Sequence, residues 1–184
     1  KLIMLNFLTL SDLVAFQAAN FNNPNALNFK KDGTWKSFSN QEFLEKVFHF
    51  ACGLAEIGVK KGEVIANYSY QNPIWLIVDL GSILAGCVTV PIFENISKEN
   101  LSYEISDANV SLIFTDKKDF LNESFFYKKQ LRIVSYGFKS PDSLGFEDIL
   151  EKGKQAVELG KYNLQNFLSA SKPDDLATII YTSG

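Results

Sequence analysis

From residue 63 onward the chain alternates short apolar runs with longer segments of helical period. The runs are rich in Val, Ile, Leu and Phe and have no polar face, as in Cys87-Val88-Thr89-Val90 and Leu112-Ile113-Phe114. The pattern predicts strands over residues 63–69, 87–93, 111–115, 131–136 and 176–181. Helices are predicted over 72–85, 97–107, 117–129 and 146–159, the third being the weakest. Asn72 caps the first of these, with Pro73 at the position where a missing N–H costs nothing. Ser97 caps the second. The stretch between the last helix and the last strand reads as a polar connection. Strands apolar throughout are buried on both faces. The fold class that follows is α/β, a mainly parallel sheet with helices on both faces and right-handed crossovers. The strand 176–181 is expected to be buried.

The first third has a different texture. A helix is predicted over 11–21, with Leu13, Phe16 and Ala19 on one face and Asp12 near its positive end. Strands over 26–29 and 34–38 flank the turn Lys31-Asp32-Gly33. Ser39 and Glu42 form a capping box. Behind it Phe43, Leu44, Val47, Phe48, Ala51, Leu54 and Ala55 share one helical stripe, which Gly58 ends. His49, the single histidine, falls on the opposite face, one turn after Glu45. It is expected to be a solvated surface residue rather than a catalytic base, because no Ser or Cys nucleophile is placed near it in sequence.

Residues 74–93 are almost continuously apolar and about long enough to cross a bilayer. Asp79 near the middle would cost roughly 2.5–3.5 kcal/mol there, and the run turns β-branched after Gly86. A buried helix followed by a buried strand explains it better.

Composition adds limits. Hydrophobic residues are 46% and charged residues 21%, with 16 Phe among 184 residues, which excludes a disordered chain. The formal charge is −3 and no basic run occurs, so nucleic acid is not an expected partner. Cys52 and Cys87 lie among apolar neighbours and are expected as buried reduced thiols. Asn-x-Ser sequons at Asn67, Asn95, Asn100, Asn109 and Asn122 would matter only in a secreted protein. The start of the chain does not resemble a secretory leader, so a cytoplasmic location is expected.

Ligands of parallel sheets bind beyond the carboxyl ends of the strands. The last strand empties into Thr182-Ser183-Gly184. Hydroxyls donate to phosphate oxygens, and glycine lets the backbone turn its N–H groups toward an anion. Neither a Walker A loop nor a G-x-G-x-x-G fingerprint is present. On its own the tripeptide is weak and reads first as an ordinary strand-to-turn ending.

Several blocks in order resemble the adenylate-forming, AMP-binding enzymes. Residues 173–184, Pro-Asp-Asp-Leu-Ala-Thr-Ile-Ile-Tyr-Thr-Ser-Gly, resemble the lead-in to that family's phosphate loop. Residues 58–66, Asn72-Pro73-Ile74-Trp75 and the stretch from Asp79 to Pro91 resemble three further family blocks. Residues 35–42 resemble a segment of the long-chain fatty acid–CoA ligases, the nearest branch. Glu63 in place of Asp, Phe93 in place of Tyr, and the loose match over 92–97 depart from the pattern.

The resemblance implies two-step chemistry. A carboxylate attacks the α-phosphate of ATP, with Mg2+, giving acyl-AMP and pyrophosphate; the thiol of CoA then displaces AMP. The substrate would be a long-chain fatty acid, with an amino or aryl acid, or carrier-protein loading, as the alternative within the superfamily. Thr182, Ser183 and Gly184 would contact the ATP phosphates, and no catalytic or metal-binding residue would lie in this stretch. Residues 1–184 would be the first part of the large AMP-binding domain, ending inside the phosphate loop, inactive by itself and prone to self-associate through uncovered apolar faces. Peripheral membrane contact would suit a long-chain ligase. A non-catalytic α/β binding domain is the reading from a different class.

Overall fold

The computed structural model describes residues 7–122 and 131–182. Local capping chemistry sets where most helices begin. In α1 (Leu10–Asn20), the Thr9 hydroxyl accepts the Asp12 N–H at 3.2 Å while the Asp12 carboxylate accepts the Thr9 N–H at 2.9 Å. The same reciprocal box, Ser39 with Glu42, starts α2 (Asn40–Glu56). Asn72 accepts two amides at the head of α3 (Pro73–Leu84), and Ser97 caps α4 (Lys98–Asp107). Each box satisfies N–H groups that would otherwise lack a partner.

The buried face of α1 departs from expectation. Ser11, Val14 and Ala18 are buried and Ala19 is exposed, so the predicted Leu13, Phe16, Ala19 stripe lies beside the contact rather than in it. Polar contacts fix this side: the Ser11 hydroxyl donates to the Ile83 carbonyl at 3.4 Å and lies 2.8 Å from Ser171 Oγ, and Gln41 donates to the Ala18 carbonyl at 2.8 Å.

Strands β1 (Leu27–Lys31) and β2 (Thr34–Phe38) form an antiparallel hairpin. Asp32 and Gly33 both take positive φ, 51° and 76°, as a tight two-residue turn requires. The main sheet follows: β3 (Val64–Tyr68), β4 (Val88–Pro91), β5 (Leu112–Thr115), β6 (Arg132–Ser135) and β7 (Leu144–Gly145), in the order β4-β3-β5-β6-β7. All neighbouring strands are parallel. The apolar run 74–93 is helix then strand, α3 then β4. Among the described residues no helix is long and apolar enough to cross a membrane.

Two layers of side chains cover the sheet. One gathers α2, α3 and α5 (Phe146–Glu158) around Phe50, Leu54, Ile77 and Phe114. The other packs Leu101 and Ile105 of α4, with Phe120, on Ala66, Val90 and Ile113. Helices on both faces of a parallel sheet are what the continuous apolar strands imply. Cys52 and Cys87 are buried free thiols, pushed up to about 12 mainly by burial.

Close approach of α2 and α5 is set by glycine. A Cβ on Gly153 would lie 1.8 Å from the His49 carbonyl oxygen, and one on Gly53 would lie 2.1 Å from the Ile149 oxygen. This contact also corrects the reading of His49. The ring is half-buried rather than solvated, and burial lowers its pKa.

Four other readings change. Of the weak helix over 117–129, the first part is a 3-10 turn (Lys118–Asn122), and 123–130 lie outside the described residues. The polar connection contains a helix, α6 (Leu164–Ala170), whose Leu164, Phe167 and Leu168 pack on the core. Strand β7, two residues long, was not expected. Finally, 176–181 is not a buried strand. It joins the sheet at the β4 edge through a single parallel bridge, Thr89 to Thr178. Leu176 is 62% and Ile180 64% exposed. Among the described residues this segment pairs on one side only, which leaves Leu176 and Ile180 open on the other.

Candidate functional site

At the amino ends of the strands, Glu63 fastens three elements. Its carboxylate accepts the Lys60 N–H at 2.9 Å, the Ser111 hydroxyl at 2.8 Å and the Arg132 guanidinium. Burial raises its pKa, but these donors outweigh burial and hold it below the usual carboxylate value. With β3, β5 and β6 fixed there, their opposite ends can form a surface of defined shape.

That surface carries a cleft. It has a volume of about 1120 Å³ and opens beyond the carboxyl ends of β3 and β4, between α4, the loop after β4 and the last described residues. Ser69, Tyr70 and Trp75 line one wall, Phe93 and Tyr103 another, and Thr182 reaches it from the edge segment. This is where ligands of open parallel sheets bind.

The walls are held by named contacts. Buried Asn67 donates to the Trp75 carbonyl at 3.1 Å and accepts the Ser69 hydroxyl at 3.0 Å, tying the end of β3 to the start of α3. The Tyr70 N–H donates to Asp116 at 3.0 Å, joining the ends of β3 and β5. Lys117 Nζ lies 3.9 Å from the Tyr70 ring centre, a cation–π contact. Phe93, Tyr70 and Tyr103 remain largely exposed, so apolar surface faces the cleft.

The edge segment is held at both of its ends. The Thr89 N–H donates to the Ala177 carbonyl, and the Ile179 N–H to the Thr89 carbonyl, each at 2.9 Å. The Thr178 hydroxyl donates to the Thr89 carbonyl at 3.0 Å. Ile179 and Tyr181 turn inward onto the α4 layer. Tyr181 donates its hydroxyl to Asp107 at 2.7 Å and sets its ring edge-on to Tyr103. Burial, then Asp107, pushes the Tyr181 hydroxyl up to about 12. Burial also raises Glu104, on the cleft wall.

Of the three residues singled out from sequence, Thr182 is exposed at the cleft mouth, and Ser183 and Gly184 lie outside the described residues. Tyr70, Tyr103 and Asp107 carried no signal in the sequence; each joins the site only through tertiary contact. Among the described residues no group of three His, Cys, Asp or Glu side chains comes together as a metal ligand set.

Comparison with known proteins bears on this arrangement. A bovine (Bos taurus) long-chain-fatty-acid–CoA ligase is 24% identical over 167 residues, covering 86% of this chain and 23% of that protein. A similar ligase from Mycobacterium bovis is 27% identical over 157 residues, covering 83% and 25%. The chain thus spans about a quarter of the length of the curated relatives it matches. Among solved structures, an anthranilate CoA ligase in complex with anthranoyl-AMP superposes with a TM-score of 0.66 at 18% identity, covering 77% of this chain and 27% of that one. The A domain of a carboxylic acid reductase from Segniliparus rugosus, in complex with AMP and a carboxylic acid, gives 0.64 at 17% identity, covering 94% and 34%. These superpositions share the fold. The AMP-binding enzyme family model matches residues 14–184, and the chain belongs to that family.

Proposed function

We propose that the protein of which this chain is part is an ATP-dependent acid–thiol ligase, which activates a long-chain fatty acid as acyl-AMP, releases pyrophosphate and passes the acyl group to CoA. The observation that carries the reading is the course of the last segment: Thr89 pairs with Thr178, and the chain then delivers Thr182 to the mouth of the cleft beyond β3 and β4. Family membership and the names of the curated relatives support it.

In this reading the hydroxyls of Thr182 and Ser183 donate to phosphate oxygens, with Gly184 letting the backbone approach. Such donors are worth most on the charge that develops as the phosphoryl group transfers. The exposed aromatic wall would exclude water beside it. Mg2+ would accompany ATP, but the described residues offer it no ligand set, and no step is assigned to it. Residues 1–184 would be the first part of the AMP-binding domain, so the stretch alone would be inactive. The protein would be cytoplasmic, with peripheral membrane contact and self-association of the isolated stretch as further expectations.

The test is carboxylate-dependent ATP–pyrophosphate exchange by the full-length protein, run against palmitate, benzoate and a set of amino acids. Exchange with palmitate, followed by palmitoyl-CoA once CoA is added, is the expected result. Exchange with an aryl or amino acid only would move the protein to the sister reading. No exchange with any acid would leave a non-catalytic binding domain.

A further inference from the structure

Past Ile179 the edge segment has left the sheet ladder. Among the described residues, its last backbone hydrogen bond is the one from the Ile179 N–H to Thr89. Thr182 stands three positions further on, and what lies between is held by one side chain, Tyr181. That ring packs with Tyr103 at a centroid distance of 6.1 Å, and its hydroxyl donates to Asp107 at 2.7 Å.

Asp107 is an odd residue for its place. It is the last residue of α4, with Ala108 as the C-cap. A carboxylate at the negative end of the helix dipole opposes helix formation. A donated hydroxyl offsets that cost, and the tyrosine that donates it lies 74 residues away. Aromatic packing and a charge-assisted bond together fix both the depth and the rotation of the Tyr181 ring. Side chains alternate here, with Ile179 and Tyr181 packed inward and Ile180 exposed between them, so a fixed Tyr181 also fixes the direction in which the backbone presents residue 182.

We infer that Asp107 and Tyr103 on α4, acting through Tyr181, are positioning residues that aim the Thr182 end of the edge segment at the triphosphate. The inference rests on the proposed adenylation reading and deepens it. None of the three need touch substrate. They hold a segment that has left its sheet, so that the Thr182 hydroxyl is in place before ATP arrives, and preorganised donors are the effective ones.

The experiment uses the full-length protein with Tyr181→Phe, Asp107→Ala, the double variant and the conservative Asp107→Asn. Loosening the segment should raise the KM for ATP about tenfold in Tyr181→Phe and in Asp107→Ala, since small misplacement of a binding group is costly. The KM for the carboxylic acid and the Tm should stay unchanged. The double variant should be no worse than either single one, because one bond is lost in each case. Asp107→Asn, whose amide oxygen still accepts the hydroxyl, should recover most of the ATP affinity.

Amide hydrogen exchange over residues 178–182 gives a readout independent of catalysis; Tyr181→Phe should speed it while α4 stays protected. ATP KM values within twofold of wild type, additive effects, or unchanged exchange in this segment would overturn the assignment. A wild-type protein that exchanges no pyrophosphate with any acid would refute the adenylation reading; the segment's exchange rates would still decide whether Tyr181 and Asp107 hold it.

Discussion

Replacing Gly153 with alanine should separate two helices. The added Cβ would sit 1.8 Å from the His49 carbonyl oxygen and 2.6 Å from the Gly53 nitrogen, whereas ordinary contact begins at 3.4 Å. Both obstacles are backbone, so no side chain can swing away; α5 must retreat from α2 by about 1.5 Å, which forfeits much of the dispersion energy between them. Overpacking of this kind costs about 1–3 kcal/mol, and more where the backbone must move. Helix propensity acts the other way, favouring alanine over glycine by about 1 kcal/mol. Because Phe50, Leu54, Phe146 and Ile149 of this same interface are fully buried, the steric loss should win. From the upper end of that range we expect a net loss of about 2 kcal/mol, or roughly 4–8 °C in Tm, read by circular dichroism at 222 nm. Gly53→Ala attacks the same contact from α2, through the Ile149 oxygen at 2.1 Å, so the double variant should be less than additive. A Gly153→Ala chain that melts at or above the parent would refute the reasoning, since propensity alone would then be in control.

Three further predictions concern charge and thiols. Glu63 has a folded pKa below its free value of 4.5; its contribution is therefore present above that value and lost as pH falls through the folded one. Glu63→Gln should lower Tm at pH 7 and flatten the Tm profile below about pH 5; an unchanged acid limb would count against the clamp at the strand starts. His49 is depressed by burial from 6.5, so its stabilising neutral form is complete above that value and is lost as pH falls through the folded one. Replacement by Gln should remove that part of the Tm–pH curve, and a curve that keeps its shape would contradict the half-buried placement. Cys52 and Cys87, both pushed up to about 12, should resist a maleimide at pH 7.5 until the chain is unfolded; rapid labelling of either would place it at the surface.

What the sequence disclosed depended on how local each determinant is. Ser39 with Glu42, and Asn72 followed by Pro73, specify helix starts from a few adjacent residues, and both starts stand where they were expected. The parallel sheet could be read because the middles of β3 and β5, Ile65-Ala66 and Leu112-Ile113-Phe114, are apolar on both faces and are buried there. The same logic misjudged 176–181, because an apolar run shows a capacity for burial and not the partner that supplies it. Helix α6 escaped notice because Leu164, Phe167 and Leu168 make up too short a stripe among polar neighbours. Thr182 could be placed at the cleft from its position after an apolar run. Asp107 and Tyr103 could not, since their role exists only once α4 lies alongside an edge segment far away in sequence.

The account depends on the Thr182 hydroxyl meeting the nucleotide's phosphates. The most direct measurement is the affinity of the full-length protein for MgATP in Thr182→Val and Thr182→Ser variants. Loss of one hydrogen bond to a charged oxygen should weaken binding about tenfold in the valine variant, with serine close to wild type and the carboxylic acid bound as before. Equal MgATP affinity in all three proteins would contradict the placement of the phosphates at this strand end.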